Sequence, residues 1–269
     1  MIDTVAVNGE VRRMQELRLG DFLQSFFFGA GFFETFLIEE GTPWFLARHL
    51  ARLRTSLAAY ADTVRAPPAP LLEPEAVLDA LRRCLAVEDM GPRFTGVGKL
   101  VAGDGQLLLT FRHRPAPVPE GLVLDQLESR GYRRGDPLAT HKSVSYLRQY
   151  SHLGRGTVFA NEHGEWCEAP NGNLFFLLED AVVTPPVEAP CLPGIIRAVV
   201  VEAGPWEGLP LEERALPVEQ RARLQGCVLT NSVGLAQPVS RLLGQTLPHS
   251  TRLAQGLRAR VEARARQET

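Results

Sequence analysis

The sequence predicts an α+β protein built of two lobes. Strand-like and helix-like segments occur in both halves without strict βαβα alternation, and a proline-rich stretch at 114–120 divides them. The 269 residues suffice for two compact domains, and 45% hydrophobic with 22% charged residues is ordinary globular composition. The expected division is 1–113, a linker over 114–120, and 121–269.

In the first half, residues 1–9 read as a short strand ending at Asn8-Gly9, a hairpin signal. The run FLQSFFFGAGFFETFLIEEGTPWFL predicts a strand to about Phe28, with its phenylalanines in the core. A bend at Gly29 and Gly31 follows, then a hairpin of 32–39 and 43–46 turned at Glu40-Gly41. Leu46, Leu50, Leu53 and Leu57 fall on one helical face. A second helix is expected after Pro74, to about Val87. FTGVGKLVAGDG and QLLLTFRHR read as strands joined at Asp104-Gly105. RPAPVPE, with three prolines in seven residues, is a stiff connector.

In the second half LVLDQLESR is strand-like and SVSYLRQYSHL is expected to be helical. TVFANEHGEWCEA reads as a hairpin turned at His163-Gly164, and NLFFLLEDAVVTPP as two strands around Glu179-Asp180. PGIIRAVVVEAG opens with proline and glycine and continues with helical periodicity. GCVLTNSVGLAQPV is a buried strand with a polar turn, and 250–266 an arginine-rich amphipathic helix.

Composition narrows the function classes. Basic residues number 29 and acidic residues 31, for a net charge of −2, whereas a nucleic-acid binder usually carries a clustered basic excess. No apolar run approaches the roughly 18 residues of a membrane span. The opening MIDTVAVNGEV lacks the features of a secretory signal, so the expected setting is cytoplasmic and soluble. Cys84, Cys167, Cys191 and Cys227 show no ligand spacing and are expected to be free, mostly buried thiols. The histidines form no metal motif, and GxGxxG, GxxxxGK[ST] and GxSxG are all missing.

Lysine is the informative residue. Of the 29 basic side chains only Lys99 and Lys142 are lysine. Schiff-base chemistry needs a primary amine, which arginine cannot supply. Around Lys142 the second half places Tyr146 four residues on, one helical turn away if the segment is helical. Glu168 lies ahead of a hydrophobic strand. Gly194-Ile195-Ile196-Arg197 opens a helix, whose free N–H groups form an anion site. Thr230-Asn231-Ser232 ends a buried strand with three polar side chains, and Arg52 in HLARL adds a positive charge. Each of these alone has an ordinary structural explanation as a surface charge, a cap, a turn or core.

As an ordered set they resemble the fold-type-IV pyridoxal-phosphate enzymes, which include the branched-chain and D-amino acid aminotransferases and the aminodeoxychorismate lyases. The motifs are Lys142, then Glu168 with Asn173-Leu174-Phe175, then Thr184-Pro185-Pro186. Leu192-Pro193-Gly194-Ile195 with Arg197 follows, then Thr230-Asn231-Ser232 and Pro238-Val239. In the first half Gly29 and Gly31, Phe33-Glu34-Thr35, His49-Leu50 and Arg52-Leu53 are similar to the family's N-terminal signature. The resemblance implies a two-domain α+β fold with pyridoxal 5'-phosphate at the domain interface, and a homodimer. It makes Lys142 the Schiff-base lysine, Glu168 the partner of the pyridine nitrogen and Tyr146 that of the phenolic oxygen. Arg52, the Ile195 and Ile196 backbone, and Asn231-Ser232 would hold the phosphate.

Within the family FET, ending in Thr35, together with KSVSY and TNSVGLAQPV, resembles the lyases more than the transaminases. That likeness implies conversion of 4-amino-4-deoxychorismate to 4-aminobenzoate and pyruvate on the folate pathway. Lys142 would abstract the Cα proton and Thr35 would assist proton handling. An amino-acid transaminase is the alternative, and a non-catalytic binder a remote one. Ala30, Leu37 and Ile196 depart from the family's usual Asp, Arg and Thr, and Lys142 to Glu168 spans a short 26 residues, which implies a truncated helix after Lys142.

Overall fold

The computed structural model describes residues 2–91, 93–116 and 121–268, so the last four residues of the expected linker lie outside it. The chain divides into two compact units. One comprises Met1–Pro115 with Lys142–Tyr146 and Glu268–Thr269; the other comprises Ala116–His141 and Leu147–Gln267. This differs from the contiguous division expected, because the Lys142 segment packs with the first unit although it lies far along the sequence.

The first unit contains β1 (Thr4–Val7), β2 (Glu10–Arg13), α1 (Leu23–Phe28), β3 (Phe32–Glu39), β4 (Thr42–Pro43), α2 (Leu46–Ala59), α3 (Pro74–Val87), β5 (Gly96–Gly103) and β6 (Gln106–His113). Its sheet is antiparallel, in the order β2-β1-β6-β5-β3-β4. The apolar stripes of α2 and α3 bury Leu50, Leu53, Leu57, Val77, Leu81 and Cys84 with Phe36, Ile38, Leu100 and Leu109. Truncating a fully buried aromatic such as Phe36 to alanine costs about 3–5 kcal/mol.

One expectation is corrected here. Leu23–Phe28 is a helix, not a strand, and Phe26, Phe27 and Phe28 are exposed rather than in the core. The cause is tertiary. The Asp104 carboxylate accepts the backbone N–H groups of Gln24 and Ser25 at 3.0 Å, capping the helix from a distant turn. Gly29 ends the helix in the left-handed region at φ +64°, and any Cβ there would lie 2.1 Å from Ser145 Oγ. The hairpin of β3 and β4, both long helices and the Asp104-Gly105 connection agree with the sequence, although β4 is shorter than expected.

The second unit contains β7 (Leu122–Leu124), β8 (Gln126–Ser129), α4 (Leu147–His152), β9 (Thr157–Ala160), β10 (Glu168–Ala169), β11 (Gly172–Leu177), β12 (Val182–Thr184), α5 (Ile195–Glu202), β13 (Leu211–Glu213), β14 (Gly226–Asn231), β15 (Leu235–Leu242), β16 (Gln245–Thr246) and α6 (Ser250–Glu268). Its main sheet runs β13-β12-β11-β14-β15-β16, with β10 beside β11 and β7 beside β15; β8 and β9 pair in parallel. LVLDQLESR therefore splits between two sheets. Trp166, Leu174, Phe176, Leu229 and Val239 form the core.

All four cysteines are free and buried. Burial pushes the Cys84 thiol up to about 11 and that of Cys191 up to about 12, which keeps both in the thiol form. Among the described residues no helix is long and apolar enough to cross a membrane.

Candidate active site

Lys142 and Tyr146 were expected to share a helical face. Instead Lys142–Tyr146 is irregular and extended, and α4 starts only at Leu147 with six residues. The backbone of β3 captures the segment: Phe33 N–H donates to the Lys142 carbonyl at 2.9 Å, and Val144 N–H to the Gly31 carbonyl at 3.0 Å. Sheet pairing thus replaces the helical bonds that the spacing suggested. Phe32 faces Ser143 in this bridge, so two-residue alternation sends Lys142 to the face that holds Phe33 and Thr35. There Lys142 Nζ lies 4.6 Å from the Phe33 ring centroid and 5.3 Å from that of Tyr146. The two rings meet edge to face at 5.3 Å.

The opposite face of β3 carries a buried charged cluster. Glu34, 1% exposed, accepts Arg52 Nε at 2.8 Å and Nη2 at 2.6 Å, and lies 2.6 Å from His49 Nδ1. Burial raises the Glu34 pKa, but the charge and hydrogen bonds of Arg52, with His49, outweigh it and hold the carboxyl at about 2. Burial pushes the His49 pKa down against the pull of Glu34, and the positive charges of Arg52 and Lys142 push the same way. Arg52 is therefore a fixed, oriented cation. Glu34 and His49 were quoted in the sequence signature but given no role; helical spacing of His49 and Arg52 against alternation in β3 was the signal for this cluster.

In the second unit Glu168, Asn173 and Thr230 form one cross-strand row through β10, β11 and β14. Glu168 and Asn173 grip one residue from both sides. Leu192 N–H donates to Glu168 Oε2 at 2.9 Å, while Asn173 Nδ2 donates to the Leu192 carbonyl at 2.8 Å. The grip sets the start of α5 three residues later. Gly194 caps it, and a Cβ there would sit 2.0 Å from Asn173 Oδ1. No side chain caps α5, and the buried N–H groups of Ile195 and Ile196 meet no acceptor among the described residues. Two orphan donors at a helix N-terminus are suited to a phosphate. In the turn after β14, Asn231 Oδ1 accepts the N–H groups of Val233 and Gly234, so this side chain shapes the turn that presents Ser232.

Sequence reasoning missed Arg130. Its guanidinium, 2% exposed, pairs with Glu168 Oε1 at 2.7 Å and stacks at 4.8 Å on the Tyr132 ring. Nε and Nη1 have no acceptor among the described residues. In a chain with 27 arginines nothing local distinguishes this one.

Taken unit by unit, the residues fit pyridoxal 5'-phosphate: the first unit offers an amine beside two aromatic rings, and the second a buried carboxylate held by an arginine and a backbone amide, with orphan N–H donors at a helix start. Comparison with known proteins gives the same direction. The family model described as amino-transferase class IV matches residues 31–242. The chain is 25% identical over 248 residues to an aminodeoxychorismate lyase of Bacillus subtilis, covering 85% of this chain and 83% of that one. It is 28% identical over 261 residues to a bifunctional aminodeoxychorismate lyase / D-amino acid transaminase of Mycobacterium tuberculosis, covering 82% and 85%. Among solved structures, a fold IV transaminase from Curtobacterium pusillum superposes with a TM-score of 0.76 at 26% identity, over 91% of this chain and 88% of that chain. A hypothetical aminotransferase from Mycobacterium tuberculosis in its PLP-bound form gives a TM-score of 0.82 at 24% identity, over 99% and 100%.

Proposed function

The chain belongs to the amino-transferase class IV family of pyridoxal-phosphate-dependent enzymes, and we propose that within it the protein is a 4-amino-4-deoxychorismate lyase. The observation that carries this reading is the sheet face that holds the Lys142 amine and Thr35 together. Both relatives named above are aminodeoxychorismate lyases by name, which supports it.

The cofactor, when bound, supplies an electron sink for negative charge developing at the substrate Cα. Lys142 would hold the cofactor, and its Nζ amine would take the proton from the substrate Cα. Thr35 Oγ1, on the same face, assists that proton handling as pyruvate departs and the ring becomes aromatic. Glu168 would serve the ring nitrogen and Tyr146 the phenolic oxygen. Arg52, oriented by Glu34, would join the Ile195 and Ile196 N–H groups and Asn231-Ser232 in holding the phosphate.

Incubation with aminodeoxychorismate is expected to yield 4-aminobenzoate and pyruvate. Sustained glutamate formation from amino acids and 2-oxoglutarate, without 4-aminobenzoate, overturns the lyase reading in favour of a transaminase, which the bifunctional relative's name supports. Cofactor binding with no turnover in either assay points to a non-catalytic member. We further propose a cytoplasmic homodimer serving folate synthesis. The exposed Phe26, Phe27 and Phe28 supply apolar surface for a second copy.

A further inference from the structure

The turn after β14 is held through both its donors and its acceptors. Asn231, the last residue of β14, pairs with Leu235, the first of β15, and the residues between them close the hairpin. Asn231 Oδ1 accepts the N–H groups of Val233 and Gly234 at 3.0 and 2.7 Å. The carbonyls are taken by Arg258 of α6. Its Nη2 donates to the Gly234 carbonyl at 2.8 Å and to the Ala236 carbonyl at 3.1 Å. Those two carbonyls flank Leu235, which is buried and lies in the left-handed region at φ +59°.

A leucine occupies that region at a steric cost, because its Cβ crowds the following carbonyl oxygen. Burial of the Leu235 side chain and the charged donor shared by its two neighbouring carbonyls offset that cost. The same helix also grips the end of α5. Arg260 donates Nη1 to the Gly204 carbonyl at 2.8 Å and Nη2 to the Pro205 carbonyl, just past the C-terminus of α5, where a cation complements the helix dipole. α6 is itself fixed: Leu253, Leu257 and Val261 are buried, and Ser250 Oγ accepts the Cys227 N–H at 2.9 Å beside the start of β14. One anchored helix thus carries an arginine to each of the two elements read as phosphate holders in this unit.

We propose that Arg258 is a positioning residue of the phosphate site: by bridging the Gly234 and Ala236 carbonyls it holds the strained turn in the conformation that presents Asn231 and Ser232 to a phosphate. Arg258 acts through the turn and not on the ligand. Without the guanidinium, the turn keeps only the Asn231 bonds and relaxes about Leu235, and the phosphate loses a preorganised contact. The inference rests on the reading of Asn231-Ser232 as phosphate contacts, and the test separates the two.

Wild type, Arg258→Met, Arg258→Lys, Ser232→Ala and Arg252→Met are prepared as the full chain, freed of cofactor by dialysis and checked by thermal unfolding. Each is titrated by absorbance with pyridoxal 5'-phosphate and with pyridoxal, which lacks the phosphate. Arg252 is the control, an α6 arginine that pairs with Glu207 at the surface. Arg258→Met is expected to lose about tenfold in affinity for pyridoxal 5'-phosphate while pyridoxal is unchanged. Arg258→Lys, whose ammonium can still bridge two carbonyls, is expected to recover most of the loss, and Arg252→Met to match wild type. Unchanged affinity in Arg258→Met, equal loss for both ligands, or a comparable phosphate-specific loss in Arg252→Met overturns the assignment. A phosphate-specific loss in Ser232→Ala but not in Arg258→Met also overturns it, and leaves the turn standing as a phosphate holder. No such loss in either variant overturns the reading of the turn as well.

Discussion

Polar groups are treated in opposite ways in the two units. In the second unit Glu168 receives Arg130 and Leu192 N–H, and Asn173 returns a bond to the same Leu192, so the side chains that set α5 are engaged and buried. On the open sheet face of the first unit Thr35, Lys99 and Thr110 meet no partner among the described residues. Groups that hold a fixed geometry are rigid because their bonds are made within the chain. Groups without a partner in the chain keep donors to offer. Glu34 follows the first pattern inside the first unit, on the face of β3 opposite Lys142 and Thr35.

The largest expected effect breaks the open face itself. Lys142→Ala should lower turnover by roughly a thousandfold or more and abolish the borohydride-reducible adduct, because no other amine lies where Lys142 does. Retention of the adduct would falsify the assignment.

Next comes the buried anchor. Glu168→Ala leaves Arg130 unpaired in the interior, and about 3–5 kcal/mol of stability should be lost by denaturant titration. A loss below about 1 kcal/mol, the range of surface pairs, would erase the contrast between the units.

The Glu34 cluster adds a pH dependence. Its folded pKa of about 2 lies below the ordinary 4.5, so ionisation favours the folded state. The contribution, on the order of 3 kcal/mol, is complete above about pH 4.5 and is lost as pH falls towards 2. Stability measured across that window should fall more steeply in wild type than in Glu34→Gln; equal slopes would show that Glu34 is not the group responsible.

Gly194→Ala sharpens the comparison at a single atom. The backbone φ of −68° accepts alanine, so the cost comes from the clash with Asn173 Oδ1. About 1–3 kcal/mol is expected, with weaker cofactor retention on dialysis. Unchanged retention would mean that the Asn173 grip on Leu192 does not govern α5.

The smallest expected effect on monomer stability is at the exposed helix. Phe28→Ser, at a residue 80% exposed, should shift monomer stability by no more than about 0.5 kcal/mol. Sedimentation should nonetheless show weaker self-association. A monomeric wild type would remove the homodimer from the proposal.

Much of the fold was legible where local patterns and burial agree. The α2 and α3 stripes, Pro74 at a helix start and the turns at Asn8-Gly9 and Asp104-Gly105 need only neighbours in sequence. The Phe-rich segment misled because its phenylalanines favour a strand, while its helix is capped by Asp104 from about 80 residues away. Lys142 and Tyr146 misled similarly: a four-residue spacing fits one helical turn, but the edge of β3 offers the backbone bonds that the helix would have made.

Sequence alone determined which chemistry is available. With 27 of 29 basic residues arginine, only two side-chain amines exist, and the order of motifs around Lys142 is the ground on which we propose it as the reacting one. Only tertiary structure decided that the second amine, Lys99, borders the same phenylalanine, and that Arg130 stands behind Glu168. The physical reason is sequence distance. Residue type states what a group can do, but sheet register and burial, fixed by partners tens of residues away, decide what it meets.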